Sequence, residues 1–452
     1  MKKIGFLSFG HWTPSPQSST RSGQDALLQS IELAVAAEEL GADGAYFRVH
    51  HFARQLASPF PLLAAIGAKT ERIEIGTGVI DMRYENPMYF AEDAGAADLI
   101  AEGRLQLGIS RGSPEQVIDG FRYFGYQPGE GETAADMARR HTEVALQVLE
   151  GRGFAEPNPR PMFPNPPGLL RLEPHAEGLR ERIWWGAGSD ATAKWAAARG
   201  MHLMSSTLKD DESGEPLHIQ QTKQIQSFRK EWAEHNHGFA PRVSVSRSII
   251  PIVNDTDRAY FLGQRDSEDK FGNIDATTRA VFGRSYTAEP DILVEELAKD
   301  TAVAEADTLL ITVPNQLGVD YNAHLIESVL EHVATPLGWK QQGCPLPSPP
   351  GGSHSPLRYC ELLRFSGKIV RDGYGKQLVR GTAWARTARH PPAAGRPGRY
   401  RGASAPAGRG GARRGLPAPA GDHCAVGLHR PARSDGAPAA SPLRPSRVGG
   451  PL

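Results

Sequence analysis

Along the first three quarters of the chain, apolar residues recur in two alternating rhythms. Short runs rich in β-branched and aromatic residues read as strands, and longer stretches with apolar positions three and four apart read as helices. Residues 4–9 form the first run. Residues 26–40 follow with Leu27, Leu28, Ile31 and Val35 at helical spacing, and Gly41 supplies a stop signal. The same alternation predicts strands over 45–49, 72–80, 104–110, 182–186, 202–206, 243–253 and 308–313. It predicts helices over 61–68, 88–101, 133–149, 191–199, 217–235, 291–299 and 321–333.

The pattern contains eight strands, nearly all separated by helices. Repeated strand–helix units force the strands parallel, and eight of them suit closure. The expected fold is therefore a (β/α)8 TIM barrel over residues 1–340, with a doubly wound open sheet as the competing arrangement. Residues 151–182 and 263–290 are long for simple connections and are expected to be insertions or lids in the strand–helix loops.

From about residue 341 this rhythm stops. Gly, Pro, Ala and Arg dominate, as in Gly408-Arg409-Gly410-Gly411-Ala412-Arg413-Arg414. Such a segment buries too little apolar surface to offset its ordering entropy. Residues 341–452 are expected to be a disordered tail or an out-of-frame translation, since these residues are the ones encoded by GC-rich codons. Resequencing the coding DNA separates the two. A basic arm for nucleic acid or a membrane surface is the rival reading.

Charge supports the same boundary. The chain carries 51 basic and 51 acidic residues. From Gly343 onward, however, 16 Arg and 2 Lys face 4 acidic residues, so the first part is acidic. An acidic domain argues against nucleic acid as its partner. All three cysteines, Cys344, Cys360 and Cys424, lie in the tail. That excludes a disulfide framework, a Cys-rich zinc site or a thiol nucleophile in residues 1–340. With no signal-peptide pattern and no bilayer-length apolar run, the expectation is a cytoplasmic protein with no membrane partner.

In a barrel, chemistry sits where the strands end. The second strand runs into Arg48-Val49-His50-His51-Phe52, which can place an imidazole in the mouth; a hydrogen-bonded or surface histidine pair is the plainer alternative. The third ends in Gly76-Thr77-Gly78-Val79, where glycine lets backbone approach a flat ligand, or simply makes the strand irregular. Arg111 ends the fourth strand and is open to two readings, a bidentate phosphate contact or a salt bridge. The fifth strand leads into Gly186-Ala187-Gly188-Ser189-Asp190-Ala191-Thr192. A Gly-rich turn with hydroxyls at a helix start is an anion site, and equally an ordinary N-cap. Neighbouring strands would let Arg111, Ser189 and Thr192 share one anion. No P-loop, nucleophile elbow or His-Glu-x-x-His motif is present, and no metal site is expected.

These residues resemble the bacterial luciferase-like, flavin-dependent monooxygenases. The resemblance rests on Glu38-Glu39-Leu40-Gly41-Ala42-Asp43, His50-His51-Phe52, Ile75-Gly76-Thr77-Gly78-Val79, Asn86-Pro87, Ala91-Glu92-Asp93, Asp98-Leu99, the stretch 103–112 and Trp195-Ala196-Ala197-Ala198-Arg199-Gly200. It spans roughly residues 1–340. It implies that Arg111, Ser189 and Thr192 hold the FMN phosphate, that His50 handles protons at the flavin's reactive edge, and that Gly78-Val79 is a non-prolyl cis peptide against the isoalloxazine ring. Val49 departs from the family, which often has Glu there. The implied activity is oxygenation of a small organic substrate with reduced FMN and molecular oxygen, the FMN coming from a separate flavin reductase because nothing here resembles a nicotinamide-binding domain. A homodimer is implied by resemblance alone. Two alternatives stand beside it: a deazaflavin-dependent hydride-transfer enzyme on the same barrel, disfavoured by Arg111-Gly112-Ser113, and a non-catalytic flavin-binding protein. Arg83, Tyr84 and Tyr126 are candidate mouth-lining contacts or structural residues.

Overall fold

A computed structural model describes residues 2–112, 116–211, 213–261, 268–273 and 279–340. Eight parallel strands form its centre: β1 Lys3–Ser8, β2 Gly44–Phe47, β3 Glu74–Thr77, β4 Leu105–Ser110, β5 Ile183–Gly186, β6 His202–Ser205, β7 Val243–Pro251 and β8 Thr308–Val313. They are hydrogen-bonded in chain order, and β8 pairs with both β7 and β1, so the sheet closes on itself. The barrel expectation is borne out and the open sheet is not. The expectations for the tail, and Ser113 of Arg111-Gly112-Ser113, lie outside the described residues.

Among the described residues, ten helices surround the barrel: α1 Gly23–Glu39, α2 Pro59–Gly67, α3 Pro87–Ile100, α4 Ala134–Leu149, α5 Asp190–Ala198, α6 Leu217–Ala233, α7 Asp255–Phe261, α8 Pro290–Leu297, α9 Thr301–Glu305 and α10 Gly318–Val329. Local chemistry sets their ends. Ser22 and Asp25 form a capping box on α1, and Thr133 and Asp136 form one on α4. Asn86 accepts from the Met88 and Tyr89 N–H groups while Pro87 occupies the first turn of α3.

Several residues in the family-like segments turn out to be joints. The Glu38 carboxylate accepts from the backbone N–H groups of Glu71, Arg72 and Ile73, bracing the entry to β3. Asp98 accepts from the Leu105 N–H at 3.1 Å and from Arg182 at 2.6 Å, tying α3 to the starts of β4 and β5. Asp43 accepts from the Ile4 N–H and from the indole of Trp339, so the end of the barrel unit is pinned to its beginning.

Alternation along each strand sorts side chains between the lumen and the helices. On β5, Trp184 donates to Gln106 within the barrel, while Trp185 packs against Trp195 of α5, with ring centres 4.6 Å apart. The lumen is layered. At the bottom Arg242 pairs with Glu74 at 2.9 Å, beside Gln106 and Thr308. Above lies an apolar plug of Leu7, Tyr46, Trp184, Met204 and Leu310. The top layer is small or hydroxylic: Gly108, Ser110, Gly186, Ser246, Ser248 and Thr312.

The sequence-based reading of residues 263–290 as a loop needs correction. Strands at Lys270–Asn273 and Arg279–Phe282 join Leu208–Asp210 in a three-stranded antiparallel sheet, and Ser285–Ala288 pairs in parallel with the outer half of β7. These segments are four residues or fewer, too short to show alternation. Tertiary pairing, not local propensity, makes them strands.

Candidate active site at the barrel mouth

β4 and β5 are direct neighbours, with Ile109 opposite Trp185, and a Cβ added to Gly186 would lie 3.6 Å from the Ser110 Cβ. Arg111 and the turn 186–192 therefore leave adjoining strand ends. Arg111 is half-buried, and no ion pair or side-chain hydrogen bond involves it among the described residues. Ser189 is the N-cap of α5, and its Oγ lies 3.2 Å from the hydroxyl of buried Thr192. The Thr192 hydroxyl donates to the Ser189 carbonyl at 2.9 Å. The turn is thus a helix cap, with Thr192 bracing Ser189 from below. Asp190 brings a carboxylate to the same turn, but Lys209, with its side chain 2% exposed, offsets it at 3.4 Å.

Gly78–Val79 is a cis peptide. The Val79 side chain joins the apolar plug. A Cβ at Gly108 or Gly186 would come within 3.0 or 3.1 Å of Val79 Cγ1, so these two glycines leave the room that Val79 fills. The mouth thereby gains a floor of backbone beside the Ser189 turn.

The adjacent histidines part company. His51 is buried and stacks on Tyr84 with ring centres 4.1 Å apart, with Phe124 on its edge. His50 is half-buried, and its N–H donates to the Leu56 carbonyl at 2.9 Å. Its charge is felt by His11 at the end of β1. Burial, then Arg48, then His50 hold the His11 imidazole below its usual range, so His11 stays neutral more readily than a free histidine. Phe9 stacks near His11 and lies 4.9 Å beneath the Arg48 guanidinium. Val49 packs into the core.

The remaining candidates have structural partners. Arg83 forms a forked ion pair with Asp81, Tyr84 is buried between His51 and Phe121, and Tyr126 packs on His141. Between them, Glu85 is pushed up to about 7 by burial first, then by Asp81 and Asp93. An acid whose folded pKa lies above its unfolded value takes up a proton on folding, so stability falls as pH rises through that window. Glu85→Gln is expected to remove about 1–2 kcal/mol of this pH dependence, after allowance for its partial exposure. Urea unfolding at about pH 5 and about pH 8 measures it; equal slopes for both proteins would refute the assignment.

Sequence reading missed the far arc of the mouth. Ser246, Ser248 and Thr312 face the lumen, next to Phe9. The signal was available in Val243-Ser244-Val245-Ser246-Arg247-Ser248, which alternates hydroxyls with larger side chains. No group of three or more His, Cys, Asp or Glu suited to a metal ion occurs among the described residues. No described helix is long and apolar enough to cross a membrane.

Residues 7–265, more than half of the chain, match the model of the luciferase-like monooxygenases. The chain belongs to that family. Among curated members it is similar to the uncharacterised protein YwcH of Bacillus subtilis, 26% identical over 54% of this chain and 67% of that one. It is also similar to the alkanal monooxygenase alpha chain of the Kryptophanaron alfredi symbiont, 23% identical over 51% of this chain and 61% of that one. The first relatives are thus matched over about half to two thirds of their length. Solved members share the fold. Monooxygenase RslO1 from Streptomyces bottropensis superposes with a TM-score of 0.54 at 19% identity, covering 73% of this chain and 98% of that one. The oxygenating constituent of 3,6-diketocamphane monooxygenase from Pseudomonas putida, solved with FMN, gives 0.53 at 16% identity, covering 74% and 99%. The family match begins inside β1 and stops before β8, yet β8 is what closes the barrel.

Proposed function

We propose that this chain is the oxygenating component of a two-component flavin monooxygenase, taking reduced FMN from a separate reductase and molecular oxygen to oxygenate a small organic substrate. The observation that carries the reading is the juxtaposition of Arg111 with the hydroxyl-bearing start of α5. A guanidinium, the Ser189 hydroxyl and the unsatisfied N–H groups of a helix start are together the donor set a phosphate monoester needs. When bound, reduced FMN supplies the activation of oxygen.

The chain's own residues have distinct tasks. Arg111 neutralises the phosphate, Ser189 donates to it, and Thr192 fixes the Ser189 rotamer. Gly78 and Val79 offer a flat backbone face for an aromatic ring. His50 holds or passes a proton at its imidazole nitrogens, helped by neighbours that keep His11 neutral. The surrounding aromatic residues exclude water from the mouth. The assembly is proposed to be a homodimer in the cytoplasm, and the tail beyond residue 340 is proposed to lie outside the functional domain.

Absorption titration with FMN and with a deazaflavin coenzyme, followed by oxygen uptake with a supplied flavin reductase, tests the whole reading. Perturbation of the FMN spectrum together with oxygen consumption coupled to a new product is expected. Selective binding of the deazaflavin would move the chain to hydride transfer, and FMN binding without any coupled product would make it a flavin carrier.

A further inference from the structure

Leu208–Asp210, the edge strand of the three-stranded insertion sheet, runs against the turn that starts α5. The Asp210 N–H donates to the Gly188 carbonyl at 3.0 Å. A Cβ added at Gly188 would lie 3.2 and 3.4 Å from the two Asp210 carboxylate oxygens, so the glycine admits the strand at this distance. Alternation turns Lys209 to the opposite face, where it is buried.

Lys209 reaches the first residue of α5, with its Nζ 3.4 Å from the Asp190 carboxylate. The Asp190 oxygen on that side is buried and accepts no hydrogen bond among the described residues. The separation is longer than a charge-assisted hydrogen bond, unlike the bidentate Arg247–Asp300 pair at 2.7 and 3.1 Å. Packing alone does not demand such a pair, because apolar side chains of similar volume serve a buried position as well or better. What the lysine supplies is charge. Asp190 and Asp210 bring two carboxylates to the turn, and a phosphate monoester adds nearly two more negative charges at neutral pH. Arg111 alone does not balance them.

We propose that Lys209 is a positioning residue for the flavin phosphate. By neutralising Asp190 it lets the start of α5 accept a dianion, and it makes the insertion sheet part of the selectivity for a phosphorylated over a phosphate-free flavin. The inference rests on the FMN reading given above.

Fluorescence titrations of FMN and riboflavin into the full chain test it, in the parent, Asp190→Asn, Lys209→Met and the double variant. The ratio of the two affinities isolates the phosphate. Asp190→Asn is expected to raise that ratio about three- to tenfold, and Lys209→Met to lower it by a similar factor, as for one charge acting on another in a partly wet site. The double variant, with both charges gone, should return to the parent ratio, and riboflavin affinity should change little throughout. A purely structural pair would move both ligands together or neither. An unchanged ratio in Asp190→Asn, or an equal fall for FMN and riboflavin in Lys209→Met, would overturn the inference. Asp190→Asn keeps the side-chain shape and decides alone if Lys209→Met does not fold. The parent separates the two readings. Equal affinity for both ligands there removes the phosphate site itself, and Lys209's role with it. A preference for FMN that Asp190→Asn leaves unchanged removes only the role of Lys209.

Discussion

Replacing Arg247 with methionine is expected to lower the unfolding free energy by about 3–5 kcal/mol, the usual cost of leaving a buried charge alone. Arg247 projects outward from β7 with its side chain 3% exposed, against Asp300 at 0%. Its Nε and one terminal nitrogen donate to the two Asp300 oxygens at 2.7 and 3.1 Å. The remaining donors reach the Gln221 side chain and the Ser246 carbonyl, both at 2.8 Å. Asp300 also accepts from the Tyr286 hydroxyl and the Val303 N–H, so it caps α9 as well. Burial works to raise the Asp300 pKa, but Arg247 outweighs it and holds the carboxyl below its usual range. Stability from this pair is therefore present above the ordinary carboxylate pKa and lost as pH falls through the lowered one. Urea unfolding near neutral pH is the measurement, with Arg247→Met/Asp300→Leu as control. Removing both charges should recover much of the loss; a single variant as stable as the parent would show that the pair carries no net weight.

Arg111→Ala is expected to weaken FMN binding by about 1.5–3 kcal/mol, the range of a charge-assisted hydrogen bond. Its fold should survive, because no interaction within the described residues is lost with the guanidinium. Arg111→Lys should recover only part of the affinity, since an ammonium cannot match two phosphate oxygens at once. Flavin-fluorescence titration gives the numbers. Wild-type affinity in the alanine variant would mean that the guanidinium does not meet the phosphate.

Legibility in the sequence followed the physics of each element. The eight strands were readable because each is bounded by a glycine, a proline or a helix with its own periodicity, as at Gly41 after α1 or Asn86-Pro87 before α3. Strand ends then point to Arg111 and to the Ser189 turn. The Leu208–Asp210 strand was hidden because its partner, Arg279–Phe282, lies about 70 residues further along the chain. The divergence of His50 and His51 was equally hidden. Which imidazole enters the aromatic cluster depends on Tyr84 and Phe124, which reach it from other loops. The layered lumen lies between these cases. Gly108 and Gly186 are visible as glycines, but their reason, the Val79 side chain, appears only in three dimensions. Asp98 and Glu38, which carry part of the family resemblance, prove to be joints between backbone segments.

Parallel titrations of FMN and riboflavin into the parent protein and Arg111→Ala bear most directly on the flavin reading, because the two ligands differ only in the phosphate. Tighter binding of FMN than riboflavin is expected in the parent, and this advantage should shrink by about 1.5–3 kcal/mol in the variant while riboflavin affinity stays the same. Equal affinity of the parent for both ligands, or an equal loss for both in the variant, would contradict a phosphate held between Arg111 and the start of α5.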